Sequence, residues 1–322
     1  MRLTARQVFD RLVSEDKILQ MDGRIQFYLG DVSIIVKQRD VVGNIMQEWL
    51  QGWLDQRGVE YAPCENTQMP PDFFLNPDDK TKDLLEVKAF NRNAGPGFDI
   101  ADFNAYQEEI IDKPYMLDVD YLIFGYDMSD EGVVTIKDVW LKKVWEITRR
   151  MDKWPMNLQI KDNVVHKIRP AVWYSDASRT DYTTFGSLEE FISAMEETVY
   201  QNPKTHNKAG DWKENFIKSY RDYYGISLDI PRWRDIKDDY DVKTQRKIAK
   251  ALDTKEKAED KQEKFAKKLS DMVQKLSDAK ADGNIKKIEK AEEDVLKAKA
   301  ALKKAEEQLQ KAVEEYKAVG GK

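Results

Sequence analysis

Between Pro70 and Lys88 the chain reads PPDFFLNPDDKTKDLLEVK, two apolar runs joined by a polar turn. Runs of this kind around Asn-Pro-Asp-Asp-Lys predict a β-hairpin. With the turn centred on Asp79, Asp72 comes to face Glu86 across the two strands. Like charges directly opposite one another destabilise a sheet, so the hairpin needs something at that pair to compensate. Two carboxylates held about 5 Å apart suit a hard divalent cation such as Mg²⁺, which prefers oxygen ligands. Lys88 lies two residues beyond Glu86 and therefore on the same strand face. An ammonium beside such a pair can orient a water and neutralise charge that develops on an attacked phosphate. The group is thus either a surface salt bridge or a metal-dependent site whose chemistry is phosphodiester hydrolysis. Asp78 and Asp79 belong to the turn, and Asp83, an odd number of residues from Glu86, points to the opposite face.

The surrounding pattern is mixed. Thr4 and Gln7 form a capping box ahead of Val8, Leu12 and Val13, which predicts an opening helix. RIQFYLGDVSIIVKQ predicts two short strands about Gly30-Asp31. A helix follows whose stripe is Met46, Trp49, Leu50, Trp53 and Leu54, ending at Gly58. After the motif come the loop NRNAGPGF, a helix capped by Asp99 with Phe103, Tyr106 and Ile110 inward, and the strands YLIFGYDM and VVTIKDVWL. Strand character returns over Lys161 to Tyr174, and a helix spans Ser187 to Tyr200 behind a Ser187–Glu190 capping box. DWKENFIKSYRDYYG predicts a further helix stopped by its glycine. Such alternation indicates an α/β (α+β) class, a mixed sheet flanked by helices.

From about Thr254 the pattern becomes heptads. Phe265, Leu269, Met272, Leu276 and Ala279 step by four and three, and the rhythm resumes at Ile288 beyond Asp282-Gly283-Asn284. This predicts a globular domain over 1–253 and a coiled-coil helical hairpin over 254–322. The hairpin's simplest role is two solvated helices packed on each other, with dimerisation or bracing as alternatives.

A single cysteine, Cys64, excludes an internal disulfide, and with only His166 and His206 beside it no zinc cluster of the usual spacing can form. No apolar run approaches the roughly 18 residues of a membrane span, so the expectation is a cytoplasmic protein with no membrane partner. The net charge of −6 argues against coating nucleic acid by bulk charge. It leaves room for a nuclease whose positive charge is confined to a cleft. No G-x-x-x-x-G-K-[ST] occurs, which disfavours a nucleotide hydrolase.

Pro71-Asp72 followed by Glu86-Val87-Lys88 on an apolar strand, with a helix before and a helix and strand after, resembles the PD-(D/E)xK nuclease superfamily. More narrowly, the segments QVFDRLVSEDKILQMDGRIQFYLGDVSIIVKQRDVVGNIMQEWL, TQMPPDFFLNPDDKTKDLLEVKAFN and KPYMLDVDYLIFGYDMSDEGVVTIKDVWLKKVW are similar to the NgoBV/NlaIV family of Type II restriction endonucleases. The similarity extends to about Trp233. It implies a restriction-endonuclease-like core, Mg²⁺-dependent cleavage of both strands of double-stranded DNA within the palindrome GGNNCC, and action as a homodimer. Under this resemblance Asp72 and Glu86 are metal ligands with the Val87 carbonyl as a third, and Lys88 positions the attacking water. Gln107, an amide in the apolar stripe of its helix, either occupies the superfamily's accessory position or is a core glutamine bonded to backbone. Glu48, across the wheel from its helix's stripe, is expected at the surface. Asn91, Arg92 and Asn93 leave the catalytic strand into a Gly-Pro-Gly loop, where they either contact phosphates or bases or form a plain turn. Lys167, Arg169, Lys204, Lys208, Arg232 and Arg234 lie in basic, aromatic-rich stretches and are candidates for the DNA cleft. Two readings compete: a structure-selective or repair nuclease on the same fold, and a non-catalytic DNA-binding or scaffold protein in which Asp72 and Glu86 lie far apart.

Overall fold

The hairpin forms with the register that sets Asp72 against Glu86: Phe73 pairs with Leu85 and Phe74 with Leu84. The computed structural model describes residues 1–39, 41–64, 69–175 and 181–321. It contains two compact units, Met1–Tyr240 and Asp241–Lys322.

In the first unit α1 (Ala5–Asp10), β1 (Asp22–Arg24), β2 (Gln26–Leu29), β3 (Val32–Ile35) and α2 (Val41–Gln56) precede the motif. The motif region supplies β4 (Ala62–Pro63), β5 (Phe73–Phe74) and β6 (Leu84–Asn91). Then follow β7 (Ala101–Asp102), α3 (Phe103–Asp112), β8 (Asp120–Met128), β9 (Val133–Lys142), β10 (Leu158–Lys161) and β11 (Val164–Ile168). The unit ends with α4 (Leu188–Gln201), α5 (Ala209–Tyr224) and α6 (Trp233–Ile236). Six strands make one mixed sheet in the order β1-β9-β8-β6-β5-β4, in which β6 and β8 run parallel and the other pairs antiparallel. Strands β10, β11 and β7 form a second sheet, and β2 pairs only with β3.

Strand alternation divides the core between the two faces of the main sheet. Leu84 and Phe90 of β6, with Tyr121 and Ile123 of β8, pack among Phe103, Tyr106 and Ile110 of α3 and residues of α4 and α5. Leu85 and Val87, with Leu122 and Phe124, pack under Val8 of α1 and Met46, Leu50 and Leu54 of α2. Glu86 and Lys88 thus share the α3 face, at the point where apolar packing gives way to a cleft.

Several local expectations shift. Helix α3 is capped by Asp102, whose Oδ1 accepts from the Ala105 N–H at 3.1 Å, because pairing of β7 with β11 keeps the chain extended past Asp99. Trp49 is 38% exposed, off the buried stripe. The strand anticipated over Lys161 to Tyr174 is instead the end of one hairpin arm and all of another, with Asp162 and Asn163 at φ of 51° and 61°, the conformation a two-residue turn demands. The Ser187 side chain caps α4, but the Glu190 carboxylate accepts from the Gly186 N–H, one residue earlier than a capping box requires.

The second unit is the anticipated helical hairpin. Helix α7 (Val242–Asp282) is capped by Asp241 and stops at Gly283 with φ of 69°, and Asn284 caps α8 (Ile285–Ala318). Val295, Ala298, Ala305 and Ala312 are buried along the seam. Helix α7 begins before Thr254 and runs without a break through the expected 253/254 boundary.

One close approach ties β6 to β8 and β9. Beyond β6 the Arg92 side chain crosses Gly125, where an added Cβ would sit 2.5 Å from Arg92 Cδ and 3.0 Å from Trp140 Cη2. Arg92 cannot easily give way: Asp138 holds its guanidinium, which also lies 4.0 Å from the Tyr174 ring centroid. Gly125→Ala is expected to cost about 1–3 kcal/mol in urea denaturation by overpacking. Most of that loss should disappear in the Arg92→Ala background, a coupling that a double-mutant cycle measures.

Candidate active site

Asp72 is fixed by backbone on both sides. Its N–H donates to Leu85 O at 3.0 Å and its carbonyl accepts from the Cys64 N–H at 2.9 Å, so the short strands β4 and β5 deliver it beside β6. Its carboxylate Oδ2 then accepts from the Val87 N–H at 2.8 Å. Strand β5 has ended at this point, and the carboxylate takes the place a neighbouring strand's carbonyl would fill. The N–H and C=O of one strand residue project to the same side, so the Val87 carbonyl turns toward Asp72 as well. Glu86 is buried, with Oε1 2.7 Å from Lys88 Nζ.

These groups line one cleft of about 470 Å³. Its walls come from the start of α2 (Gly43, Asn44, Gln47), from Met69 and Pro70, and from the Gly97–Asp102 segment with Lys167.

The electrostatics are those of a site short of positive charge. Burial pushes Glu86 up to about 7; Lys88 opposes that shift and Asp72 adds to it. Burial also raises Asp72, against the Val87 hydrogen bond and Lys88. For Lys88 burial works to lower the pKa, but the neighbouring carboxylates Glu86, Asp72 and Asp99 outweigh it and hold the ammonium above its ordinary value. Glu86 Oε2 is buried without a hydrogen-bond partner, a costly state that a cation would relieve. Two desolvated carboxylates, an open carboxylate oxygen and a carbonyl form an all-oxygen donor set that fits a hard divalent cation. Among the described residues no group of three or more His, Cys, Asp or Glu side chains converges.

The remaining candidates divide. Lys167 lines the cleft, with Nζ 3.7 Å from Asp102 Oδ2. Arg169 pairs with Asp99 and donates to Gly97 O, bracing two cleft-lining residues from behind. Asn91 and Asn93 close a turn, Asn93 N–H donating to Asn91 Oδ1 and the Asn93 amide to Asp127. Arg92 is engaged by Asp138 and the Tyr174 and Trp140 rings. Lys204, Lys208, Arg232 and Arg234 do not line this cleft: Lys208 pairs with Glu108, and Arg232 and Arg234 border a separate groove with Glu196 and Trp233. Gln107 is fully buried, its amide donating to Asn104 O at 3.1 Å and its backbone carbonyl accepting from Trp212 Nε1; it lies outside the cleft lining. Glu48 is exposed, as the helical wheel implied.

Sequence reasoning missed Asn44 and Gln47, because the wheel was read for its apolar stripe and its acidic residue only. It also missed Tyr121, paired in register with Glu86 on the adjacent strand and buried with a hydroxyl that has no partner.

Because folding raises Glu86 from about 4.3 to about 7, the folded state binds that proton more tightly than the unfolded chain. Its contribution to stability is full below about pH 4.3 and is lost as pH rises through 7. In chelator, thermal melts of the wild type should lose a few kcal/mol of stability over this window, since each tenfold difference in proton affinity is worth about 1.4 kcal/mol. Glu86→Gln should lack that component of the slope.

The NgoBV restriction endonuclease family model matches residues 2–240. The chain is 63% identical over 242 residues to the Type II restriction enzyme NlaIV of Neisseria lactamica, covering 75% of this chain and 99% of that protein. It is 61% identical over 160 residues to the Type II restriction enzyme NgoBV of Neisseria gonorrhoeae, covering 50% and 91% respectively. The solved NlaIV restriction endonuclease matches with a TM-score of 0.73 at 62% identity, over 75% of this chain and 98% of that one. The family match stops where the helical hairpin begins and contains every element that lines the cleft. The chain belongs to the NgoBV restriction endonuclease family.

Proposed function

We propose that this chain is a Type II restriction endonuclease that hydrolyses both strands of double-stranded DNA at a short palindrome, GGNNCC, in the presence of Mg²⁺, as a cytoplasmic homodimer. The observation that carries the reading is the Asp72–Glu86–Lys88 group on one sheet face, lining a cleft inside a fold shared with the solved NlaIV restriction endonuclease. Among the described residues no helix is long and apolar enough to cross a membrane.

Asp72, Glu86 and the Val87 carbonyl would hold the ion. When bound, Mg²⁺ supplies Lewis-acid charge at the scissile phosphate and makes a nearby water more acidic. The chain's own residues do the positioning. Asp72 is held against β6 by the Val87 N–H, so its remaining lone pairs face the cleft in fixed directions. Lys88, kept protonated by Glu86 and Asp72, presents Nζ–H to the attacking water and to the phosphate oxygens that gain charge in the transition state. Lys167, which lines the same cleft, supplies a phosphate contact that fixes the strand in register.

Incubating phage DNA with Mg²⁺ should give discrete fragments whose sequenced ends share one palindrome, and chelator should abolish them. Lys88→Ala should lower the cleavage rate about a hundred- to a thousandfold, in line with loss of a preorganised transition-state donor. Fragments without a common sequence would instead favour a structure-selective nuclease, and intact DNA in every condition would favour a binding protein.

Lys167→Ala should weaken DNA binding in Ca²⁺ and reduce the slope of log K against log [salt] by roughly one unit. Fluorescence anisotropy over a salt series measures it. An unchanged slope would remove Lys167 from the phosphate-binding surface.

A further inference from the structure

The β2–β3 hairpin is the least covered apolar element of the first unit. Its register pairs Phe27 with Ile34 and Leu29 with Val32, which places these four side chains on one face. They are 53%, 54%, 73% and 66% exposed, and Tyr28 on the other face is 65% exposed. The ribbon is anchored at its base, where the Val36 N–H donates to Ile25 O at 2.9 Å and Ile35 packs against Gly132. Ile25, the residue before β2, is also a wall of an apolar groove of about 170 Å³. Ile18, Met21, Ile45, Met46 and Trp49 help to line that groove. A convex apolar ribbon and a concave apolar groove therefore adjoin on the same part of the surface.

Eight of the thirteen exposed large apolar side chains among the described residues of Met1–Tyr240 fall between Leu19 and Trp49. With Tyr28, on the other face, left out, the remaining seven are still more than half exposed on average and offer roughly 600 Å² of apolar surface, the upper end of a monomer's largest patch. Polar atoms at its rim would bring such a contact to the ≈ 800 Å² per partner of a standard stable interface.

We propose that this surface is the contact between two copies of the chain, the apolar face of each β2–β3 hairpin lying over the apolar groove of the other and inserting one side chain into it. The inference rests on the homodimer reading above and names its interface. A hairpin beside a groove on one subunit gives an isologous contact, each feature meeting its complement across a two-fold axis. Charge supports a second copy over nucleic acid. Asp22, Arg24, Asp31 and Lys37 around the patch carry both signs in equal number, whereas a DNA footprint is of one, basic, sign. Helix α2 links the interface to catalysis, since Val42, Ile45, Met46 and Trp49 line the groove while Gly43, Asn44 and Gln47 line the catalytic cleft. Assembly through this surface sets two clefts at a fixed spacing, as cutting both strands in one encounter requires.

The test is sedimentation equilibrium of the full chain and of Phe27→Asp/Leu29→Asp, with amide exchange over Gln26–Ile35 in the wild type at high and low concentration. Both substitutions lie at exposed positions, so thermal melts and near-UV circular dichroism should match the wild type. The expected result is a wild-type dimer whose hairpin amides are protected only at high concentration, a variant whose self-association is weaker by roughly a hundredfold or more, and nicking of plasmid by the variant in place of double-strand cuts. A variant that remains as dimeric as the wild type overturns the interface and leaves the homodimer reading intact. A wild type that is monomeric at every concentration, with exchanging hairpin amides, overturns both.

Discussion

The hydrogen bond from the Val87 N–H to Asp72 Oδ2 is the constraint on which the site depends. It closes the β5–β6 ladder with a side chain where backbone would otherwise continue. That substitution opens the sheet at one edge, so that the face carrying Glu86 and Lys88 borders a cleft in place of another strand. Backbone bonds from Asp72 to Leu85 and Cys64 hold the carboxylate from the other side. Its orientation is therefore set before any ligand arrives, which is what electrostatic catalysis requires.

The same arrangement is unfavourable for folding by itself. Glu86 and Lys88 satisfy one another at 2.7 Å, but Glu86 Oε2, and behind it the Tyr121 and Tyr106 hydroxyls, are buried without partners. Desolvated polar groups cost stability unless bonded. The cost is carried by apolar packing on both faces of the sheet, with Leu85 and Val87 under α1 and α2, and Leu84 and Phe90 against α3. The site is a local conflict that the two cores around it outweigh, the pattern expected where function and local rules disagree.

How far this was legible depends on the range of the signals. The register of the β5–β6 hairpin followed from one turn and two apolar runs, and it brought Asp72, Glu86 and Lys88 together correctly because every residue involved is local in sequence. The heptad hairpin was equally plain, since its caps and glycine turn sit beside the helices they end. Errors arise where a distant strand intervenes. Asp99 would cap α3 in isolation; pairing of β7 with β11 moves that role to Asp102. The surroundings of Arg92 were equally out of local reach: it follows β6 as a candidate for phosphate or base contact, and the chain returns through Asp138, Trp140 and Tyr174 to enclose it. Basic residues suggested a cleft by composition alone, and the fold puts Lys167 in it while leaving Lys208, Arg232 and Arg234 outside its lining.

Helix α2 shows why a single-stripe reading of a helix was insufficient. It buries Leu50 and Leu54 against the sheet, turns Asn44 and Gln47 toward the cleft, and shows Ile45 and Trp49 to the apolar groove. Three faces on one helix leave little freedom for rotation: a turn of one residue, about 100°, would exchange the contents of all three. A contact on the groove side thus fixes the azimuth of Asn44 and Gln47 over the carboxylates. Their amides reach the cleft without a competing intramolecular hydrogen bond among the described residues, so what they contact is set by the ligand and by the position of the helix.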